Sequence, residues 1–314
     1  MRDLRIVFMG TPDFAVATLD ALIKAKFNVV GVVTAPDKPA GRGQKIQQSP
    51  VKKYALDHNL TILQPSNLKS EEFIASLKSL NANLQIVVAF RMLPKEVWKL
   101  PAYGTFNLHA SLLPNYRGAA PINWAIINGE TKTGVTTFFI DEKIDTGNII
   151  LQEEVAIGED EILGELHDKL MEVGSNLVVK TVQQIEKGTV KTFKQPEIEE
   201  KSAPKIYNET CKINWGDTLT NTYNLIRGLN PYPAAWTTLI NNDDEIKVKI
   251  YDVKKESASH NHKTGTIISS KNEIKVAAAQ GYLIIESLQL SGKKQMDSKS
   301  LLNGFRFHEN AFMQ

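Results

Sequence analysis

Side chains of types that serve in acyl transfer lie near the ends of two apolar runs. Asn107 and His109 stand two positions apart in GTFNLHA, and three carboxylates, Asp141, Glu142 and Asp145, follow the run GVTTFF within IDEKIDTGNII. An amide can donate a hydrogen bond to a developing oxyanion, an imidazole can exchange a proton, and a carboxylate can orient the imidazole. Together these groups predict a site at which a carbonyl carbon is attacked.

The same residues also admit a structural interpretation. Alternation along a strand places the side chains of Asn107 and His109 on one side. The histidine could be a core residue satisfied by its neighbours, the asparagine could close the strand, and DEKID could be an ordinary acidic turn. Spacing alone leaves both interpretations open. The next segment, SLLPNYRGAAP, favours a site, because this Pro- and Gly-punctuated loop leads into a helix whose N-terminus would face the same crevice.

Short apolar runs alternate with segments of helical spacing from residue 4 to residue 141. Ser49 and Pro50 mark one helix start, as N-cap and first helical residue. Near-continuous runs such as LQIVVAF indicate strands that are buried on both faces. The pattern predicts a doubly wound, mostly parallel, Rossmann-like α/β sheet domain, which binds ligands at the carboxyl ends of its strands.

The pattern changes after a long amphipathic helix that ends near residue 188. The polar segment KQPEIEEKSAPKIYNE contains two prolines, and beyond it one helix precedes five short strands separated by Gly, Asn and Asp turns. Strands of this length and spacing indicate a small OB-like β-barrel. We therefore predict an α/β domain over residues 1–189, a linker over residues 190–206 and a barrel domain over residues 207–314.

Composition and charge narrow the class of protein. Of 314 residues, 42% are hydrophobic and 23% are charged, so neither a disordered nor a fibrous chain is indicated. Residues 205–314 carry 14 Lys and Arg against 11 Asp and Glu, a net +3, and the preceding residues carry a net −1. This basic excess permits a nucleic-acid partner without demanding one. The single cysteine and the lack of long apolar runs lead us to expect a cytoplasmic protein with no membrane partner.

Several other chemistries have no motif in this sequence. Gly10 lacks the companions of the dinucleotide fingerprint G-x-G-x-x-G, no nucleophile elbow surrounds Ser111, and no Walker loop is present. The six histidines lack the spacing of metal ligands, so we expect no metal.

A long basic loop separates the second strand from the second helix. The segment APDKPAGRGQKIQQSP carries Lys38, Arg42 and Lys45 with glycines at 41 and 43. Loops of this length are uncommon in α/β units and often functional. It could contact a nucleic-acid stem through its cations, or it could be a solvated surface loop.

Five segments resemble motifs of the methionyl-tRNA formyltransferase family, in that family's order and approximate positions. They are GTPDFA, APDKPAGRG followed by SPVK, NLHASLLPNYRGAAPINWAI, GVTTFFIDEKIDTGNI and NPYPAAW. The resemblance covers nearly the whole chain. The NLHASLLP block is shared with other folate-dependent formyltransferases, whereas the basic loop, NPYPAAW and the barrel narrow the resemblance to this family.

The resemblance implies a formyl transfer from 10-formyltetrahydrofolate to the α-amine of initiator methionyl-tRNA. Asn107, His109 and Asp145 match the family's catalytic residues, and they would stabilise the oxyanion, orient the imidazole and assist proton removal. The barrel would hold the tRNA backbone, and the protein would act as a monomer without a metal. By the same resemblance the folate would contact Phe90, Met92, Leu93, Ser111, Leu112, Leu113 and Pro114, and the tRNA would contact Arg42. The loop cations Lys38 and Lys45 are the further candidates for contact with the tRNA.

The chain departs from the family at one loop and leaves other functions to consider. AFRMLP is one residue shorter than the family's usual Ala-Tyr-Gly-x-Ile-Leu-Pro and carries Arg91 in place of a glycine-bearing turn. A formyltransferase acting on an amino-sugar nucleotide or a purine precursor is the nearest alternative, although the purine enzyme has no barrel and the sugar enzyme needs no basic loop. A non-catalytic RNA-binding protein would not need the polar trio, and a nicotinamide dehydrogenase would need more than Gly10.

Overall fold

The computed structural model describes residues 1–40, 45–196 and 201–314. They form two compact units, of which the first comprises Met1–Gly118, Thr133–Val155 and Asp168–Ser202, and the second comprises Ala119–Lys132, Ala156–His167 and Ala203–Gln314. Two short segments inside the predicted first domain thus group with the second unit. The predicted boundaries at residues 189 and 206 stay predictions.

Both units are described by their regular elements, which are numbered in chain order. The strands are β1 (Ile6–Gly10), β2 (Val29–Val33), β3 (Lys38–Ala40), β4 (Lys45–Gln47), β5 (Ile62–Leu63), β6 (Leu84–Val88), β7 (Thr105–His109), β8 (Arg117–Gly118), β9 (Lys132–Phe139), β10 (Ile149–Ala156), β11 (Ser202–Ala203), β12 (Ala235–Asn241), β13 (Asp244–Ser257), β14 (Ile267–Ser269), β15 (Ile274–Ala278), β16 (Gly281–Leu290), β17 (Met296–Asp297) and β18 (Phe312–Met313). The helices are α1 (Asp13–Lys24), α2 (Pro50–Asp57), α3 (Glu71–Ser79), α4 (Lys95–Trp98), α5 (Pro121–Ile127), α6 (Leu163–Lys187), α7 (Leu219–Arg227) and α8 (Ser298–Leu302), with a 3₁₀ turn at Glu209–Cys211. None of these helices is both long and apolar enough to cross a membrane.

The first unit is built on a seven-stranded sheet with the order β10-β9-β7-β6-β1-β2-β5. β1 pairs in parallel with β2 and β6, β2 with β5, and β6 with β7, whereas β7 pairs antiparallel with β9. Every residue of β1 and β6 is buried, as the continuous apolar runs predicted. The Rossmann-like, mostly parallel sheet is therefore confirmed.

Two local features explain where α2 begins and how closely α1 packs on the sheet. Ser49 caps α2, since its Oγ accepts a hydrogen bond from the amide of Lys52 at 3.0 Å, and Pro50 follows at the first helical position. Gly10 ends β1 where α1 approaches closely: a Cβ there would lie 2.5 Å from the Cβ of Ala15. The solitary glycine thus serves packing between strand and helix.

Some elements were not predicted. The basic loop contains the antiparallel pair β3 and β4, in which Lys38 pairs with Gln47. β10 lies at the edge of the sheet and alternates buried with exposed residues, so its sequence lacks the continuous apolar run by which the buried strands were predicted.

The second unit contains an antiparallel barrel. Its strands follow the order β14-β15-β16-β13-β12-β18, and a bridge between Thr266 and Phe312 joins the two ends of that path. The backbone amide of Met313 also donates to the carbonyl of Gly265 at 2.8 Å. All five predicted strands are present as β12 to β16, and the nearly closed barrel confirms the OB-like architecture. Its interior is filled by buried aliphatic side chains such as Ile250 and Leu283.

Candidate active site

Asn107 and His109 lie on β7, in the interior of the first unit's sheet. Asn107 pairs with Val87 of β6 and Phe138 of β9, and His109 pairs with Thr136 of β9. The side chain of Asn107 is half-buried and makes no hydrogen bond with any described residue, whereas His109 is 6% exposed. The amide of Asn107 therefore has its donors available to a ligand.

The two ring nitrogens of His109 have different surroundings. Its Nε2 donates a hydrogen bond to the backbone carbonyl of Tyr116 at 2.8 Å, because a carbonyl can only accept. Its Nδ1 lies 3.9 Å from Oδ2 of Asp145, beyond hydrogen-bond length. Nδ1 is thus the ring nitrogen that can interact with a substrate.

Asp145 reaches this histidine by a loop that runs back along β7. Because β7 and β9 are antiparallel, Phe139 at the end of β9 pairs with Phe106, near the start of β7. The carboxyl ends of these two strands therefore do not share an edge, and the loop after β9 must return to His109. Asp145 has a φ of 56°, in the left-handed region, and its Oδ2 accepts a hydrogen bond from the amide of Gly118 at 3.0 Å.

The loop that carries Asp145 is hydrogen-bonded to two further side chains. Arg117 donates from Nε to the carbonyl of Asp145 at 3.1 Å, and Gln195 donates from Nε2 to the same carbonyl at 2.9 Å and to that of Gly147 at 2.8 Å. The Oε1 of Gln195 accepts from Nε and Nη2 of Arg117, at 3.2 and 2.7 Å. These contacts fix the backbone from which the Asp145 carboxylate projects.

The turn from Ser111 to Pro114 is held by hydrogen bonds that involve the side chains of Ser111, Thr136 and Gln152. Oγ of Ser111 donates to the carbonyl of Asn115 at 2.7 Å, and Oγ1 of Thr136 donates to the carbonyl of Ser111 at 2.6 Å. The amide of Leu113 donates to Oγ1 of Thr136 at 3.2 Å, and Nε2 of Gln152 donates to the carbonyl of Leu113 at 2.9 Å. The turn therefore has a defined backbone.

Within this turn, Leu113 differs from its neighbours. Its side chain is buried against Phe138 and Ile149, so only its backbone remains for a ligand. Leu112 and Pro114 are half-buried.

The side chains of the loop after β6 differ in their exposure to solvent. Met92 is 75% exposed, Phe90 is half-buried, and Leu93 is buried in the core of the unit. Arg91 donates from Nη1 to the carbonyl of Ser66 at 3.0 Å and from Nη2 to that of Pro65 at 2.5 Å. Arg91 therefore ties this loop to the segment that follows β5.

The basic loop is described only in part. Lys38 is exposed on β3, and the backbone of Lys45 pairs with that of Ala40. Arg42, the arginine that the family resemblance assigns to tRNA, lies outside the described residues.

The base of this loop is held by polar contacts. Nζ of Lys52 donates to Asp37 at 2.6 Å, and Nε2 of Gln64 donates to the same carboxylate at 2.8 Å. The hydroxyls of Thr34 and Ser49 lie 2.8 Å apart and join the two ends of the loop. The hydrogen bond from Lys52, and then that from Gln64, lowers the pKa of Asp37 below its usual value.

The sequence did not single out several residues that build this site. Arg117 lies in the quoted loop without a distinguishing pattern, and Gln195 lies in a polar stretch that we predicted to be a linker. The carbonyl of Tyr116 and the amide of Gly118 act through the backbone, which leaves no signal in residue type.

The family models, the relatives and the solved structure that match this chain are all described as formyltransferases. The formyl transferase family model matches residues 4–182, and the model described as formyl transferase, C-terminal domain, matches residues 205–306. A methionyl-tRNA formyltransferase of Flavobacterium johnsoniae is 60% identical over 312 residues, with 99% of each chain covered, and one of Bacteroides fragilis is 54% identical, with 98% of this chain and 97% of that protein covered. A crystal structure of WlaRD, a sugar 3N-formyl transferase with dTDP and 5-N-formyl-THF, has a TM-score of 0.66 at 24% identity, covering 94% of this chain and all of that one.

Proposed function

The chain belongs to the methionyl-tRNA formyltransferases of the formyl transferase family, and on that premise we propose that it transfers the formyl group of 10-formyltetrahydrofolate to the α-amine of initiator methionyl-tRNA. One observation carries the proposal. The available amide of Asn107, the Nδ1 of His109 and the carboxylate of Asp145 lie around the end of β7, with 3.9 Å between the last two groups.

The reaction needs two things from these residues. The α-amine attacks the formyl carbon, a new C–N bond forms, and the carbonyl electron pair moves to oxygen. Nδ2 of Asn107 and Nδ1–H of His109 donate hydrogen bonds to that oxyanion, and one such donor contributes roughly 10²–10³ in kcat in enzymes that stabilise an oxyanion. The Asp145 carboxylate takes the proton from the new ammonium. The carbonyl then reforms, the bond to N10 of the folate breaks, and N10 receives the proton.

The hydrogen bond to Tyr116 supports a specific assignment of the ring atoms. Since Nε2 of His109 already donates to that carbonyl at 2.8 Å, donation to substrate falls to Nδ1. Both ring nitrogens thus act as hydrogen-bond donors in this scheme, and Oδ2 of Asp145 lies 3.9 Å from Nδ1. No metal and no covalent enzyme intermediate takes part in this scheme.

The folate pocket is proposed from the two loops beside β7. The fixed backbone of the turn from Ser111 to Pro114 offers polar contacts, and the exposed thioether of Met92 and the ring of Phe90 offer apolar ones. Leu93 and Leu113 contribute through their backbones, because their side chains are buried in packing.

The tRNA contacts are proposed for the basic loop and the barrel. Lys38, Arg42 and Lys45 would meet phosphates near the acceptor end, and the net +3 charge of residues 205–314 supports backbone contact by the barrel. We expect the enzyme to act as a cytoplasmic monomer.

The proposal is tested with purified protein, 10-formyltetrahydrofolate and methionyl initiator tRNA, by measuring formylmethionyl-tRNA. Wild type should form product, and His109→Ala and Asn107→Ala should each lower kcat by about 10²- to 10³-fold. Asn81→Asp, on the exposed surface, serves as the control and should match wild type. Equal rates for wild type and His109→Ala would refute the assigned role. If the wild-type protein formylates an amino-sugar nucleotide and leaves methionyl-tRNA unmodified, the proposed substrate is wrong.

A further inference from the structure

We propose that Gln195 is a positioning residue for the formyl transfer, which acts with Arg117 by holding the backbone of Asp145. This inference rests on the proposed function, because it assigns a purpose to the place of the Asp145 carboxylate. Gln195 is 4% exposed, so its amide lies away from water and its hydrogen bonds are made within the protein.

The donors and the acceptor of the Gln195 side-chain amide all bond to the loop that carries Asp145 or to Arg117. Its two N–H donors go to the carbonyls of Asp145 and Gly147, at 2.9 and 2.8 Å. Its oxygen accepts two hydrogen bonds from Arg117, whose Nε also donates to the carbonyl of Asp145. The glutamine and the arginine thus converge on a single carbonyl oxygen.

The backbone at Asp145 needs such support. Its φ of 56° lies in the left-handed region, which few residues other than glycine adopt and which aspartate enters more readily than most. If residue 147 carried a Cβ, that atom would lie only 1.7 Å from the carbonyl oxygen of Phe139. The loop is therefore also closely packed against the end of β9. An uncommon backbone conformation held from two sides is a feature of sites where the direction of one side chain matters.

Gln195 is itself delivered by a fixed segment. Phe193, two residues earlier, exchanges two backbone hydrogen bonds with Ile149 at the start of β10, at 2.8 and 2.9 Å. The loop with Asp145 and the segment with Gln195 are therefore both anchored near the β9–β10 connection. From there the carboxylate meets the amide of Gly118 and faces Nδ1 of His109.

A double-mutant cycle separates this role from general stability. Gln195→Met keeps the volume and removes the hydrogen bonds, and it should lower kcat by about 10- to 100-fold while both KM values change by less than about 3-fold. In an Asp145→Asn background the same substitution should change kcat by less than about 2-fold, because the group it positions is already lost. Gln85→Met is the matched control, since Gln85 is also buried but accepts its hydrogen bond from Thr105. Any loss it causes should be equal in both backgrounds.

A second variant covers the case in which Gln195→Met does not fold. Arg117→Lys keeps a cation but loses the planar donor pair, and it should show the same coupling to Asp145→Asn. Hydrogen–deuterium exchange should rise in the peptide spanning residues 140–148 for either variant. Additive losses in an active protein overturn this inference alone, whereas a wild type that forms no formylmethionyl-tRNA overturns the proposed function. Unchanged exchange in the 140–148 peptide would contradict the positioning contact in either case.

Discussion

Nδ1 of His109 and Oδ2 of Asp145 lie 3.9 Å apart, with Nε2 of the histidine bonded to Tyr116 and Oδ2 of the aspartate bonded to Gly118. The distance is too long for a hydrogen bond between the two atoms. Each group thus has one fixed contact and one side directed at the other. A reacting group near both could contact the two atoms together.

The charge of Asp145 should be essential for turnover. Asp145→Asn keeps the size of the side chain but loses the proton acceptor and the negative charge, so kcat should fall by about 10²- to 10⁴-fold with KM little changed. Formylation of methionyl-tRNA under saturating donor measures this. Asp141→Asn in the same loop is the control, because the exposed Asp141 accepts hydrogen bonds from the amide of Lys143 and Oγ1 of Thr146, within its own loop. A control as inactive as Asp145→Asn would show that the loop, and not the carboxylate, is at fault.

The guanidinium of Arg91 should influence the formyl donor more than the chemical step. Arg91→Ala removes the hydrogen bonds to Pro65 and Ser66, each exposed to solvent, so the loop that carries Phe90 and Met92 becomes less ordered. A loss of about 1 kcal/mol corresponds to a KM for 10-formyltetrahydrofolate raised about 5-fold. Steady-state kinetics at varied donor concentration test this, and a changed kcat with an unchanged KM would contradict it.

The ion pair at the base of the basic loop should stabilise the fold in a pH-dependent way. The pKa of Asp37 is lower in the folded protein than in the unfolded chain, because Lys52 and Gln64 donate to the carboxylate. The unfolded state therefore binds the proton first, and this stabilisation is complete above the unfolded pKa of about 4 and is lost as pH falls through the lowered folded value.

The difference in Tm between wild type and Asp37→Asn should accordingly be present at about pH 7 and shrink toward about pH 2. In a Lys52→Met background, most of that pH dependence should disappear, because the first of the two donors is gone. A difference in Tm that grows on acidification would have the wrong sign for this account.

Close packing of β1 on α1 should make Gly10 intolerant of a methyl group. In Gly10→Ala the added Cβ would lie 2.5 Å from the Cβ of Ala15 and 2.9 Å from Cε1 of Phe8, so we expect a loss of about 1–3 kcal/mol in the free energy of unfolding. Gly304→Ala is the matched control, since no atom of the described residues, apart from those of its chain neighbours, lies within 4 Å of a Cβ at that position. Denaturant unfolding of both variants decides the question, and equal midpoints would refute the packing argument.

The parts of the fold that could be predicted are those with a strong local signal. Continuous apolar runs predicted β1 and β6, and the Ser49–Pro50 pair predicted the start of α2. β10 escaped prediction because an edge strand with one solvated face has no such run. The closure of the barrel by β18 also left no signal, since two residues at the chain's end are too few to show a period.

The candidate site divides in the same way. Asn107 and His109 stand out because polar side chains interrupt a buried strand. The loop after GVTTFF offered three carboxylates, and only the family motif selected Asp145 among them. Arg117 and Gln195 were not found, because their contacts are to backbone carbonyls far along the chain, and any donor side chain of suitable reach would have the same pattern in sequence.

The hydrogen bonds of Gln195 also bear on the order in which the protein becomes competent during synthesis. Gln195 contacts Asp145 across 50 residues and Arg117 across 78. A nascent chain that has released the whole of β7 and the loop after β9 still lacks the glutamine that braces that loop. Because contacts between distant residues form late, the catalytic geometry should be among the last features of the first unit to mature.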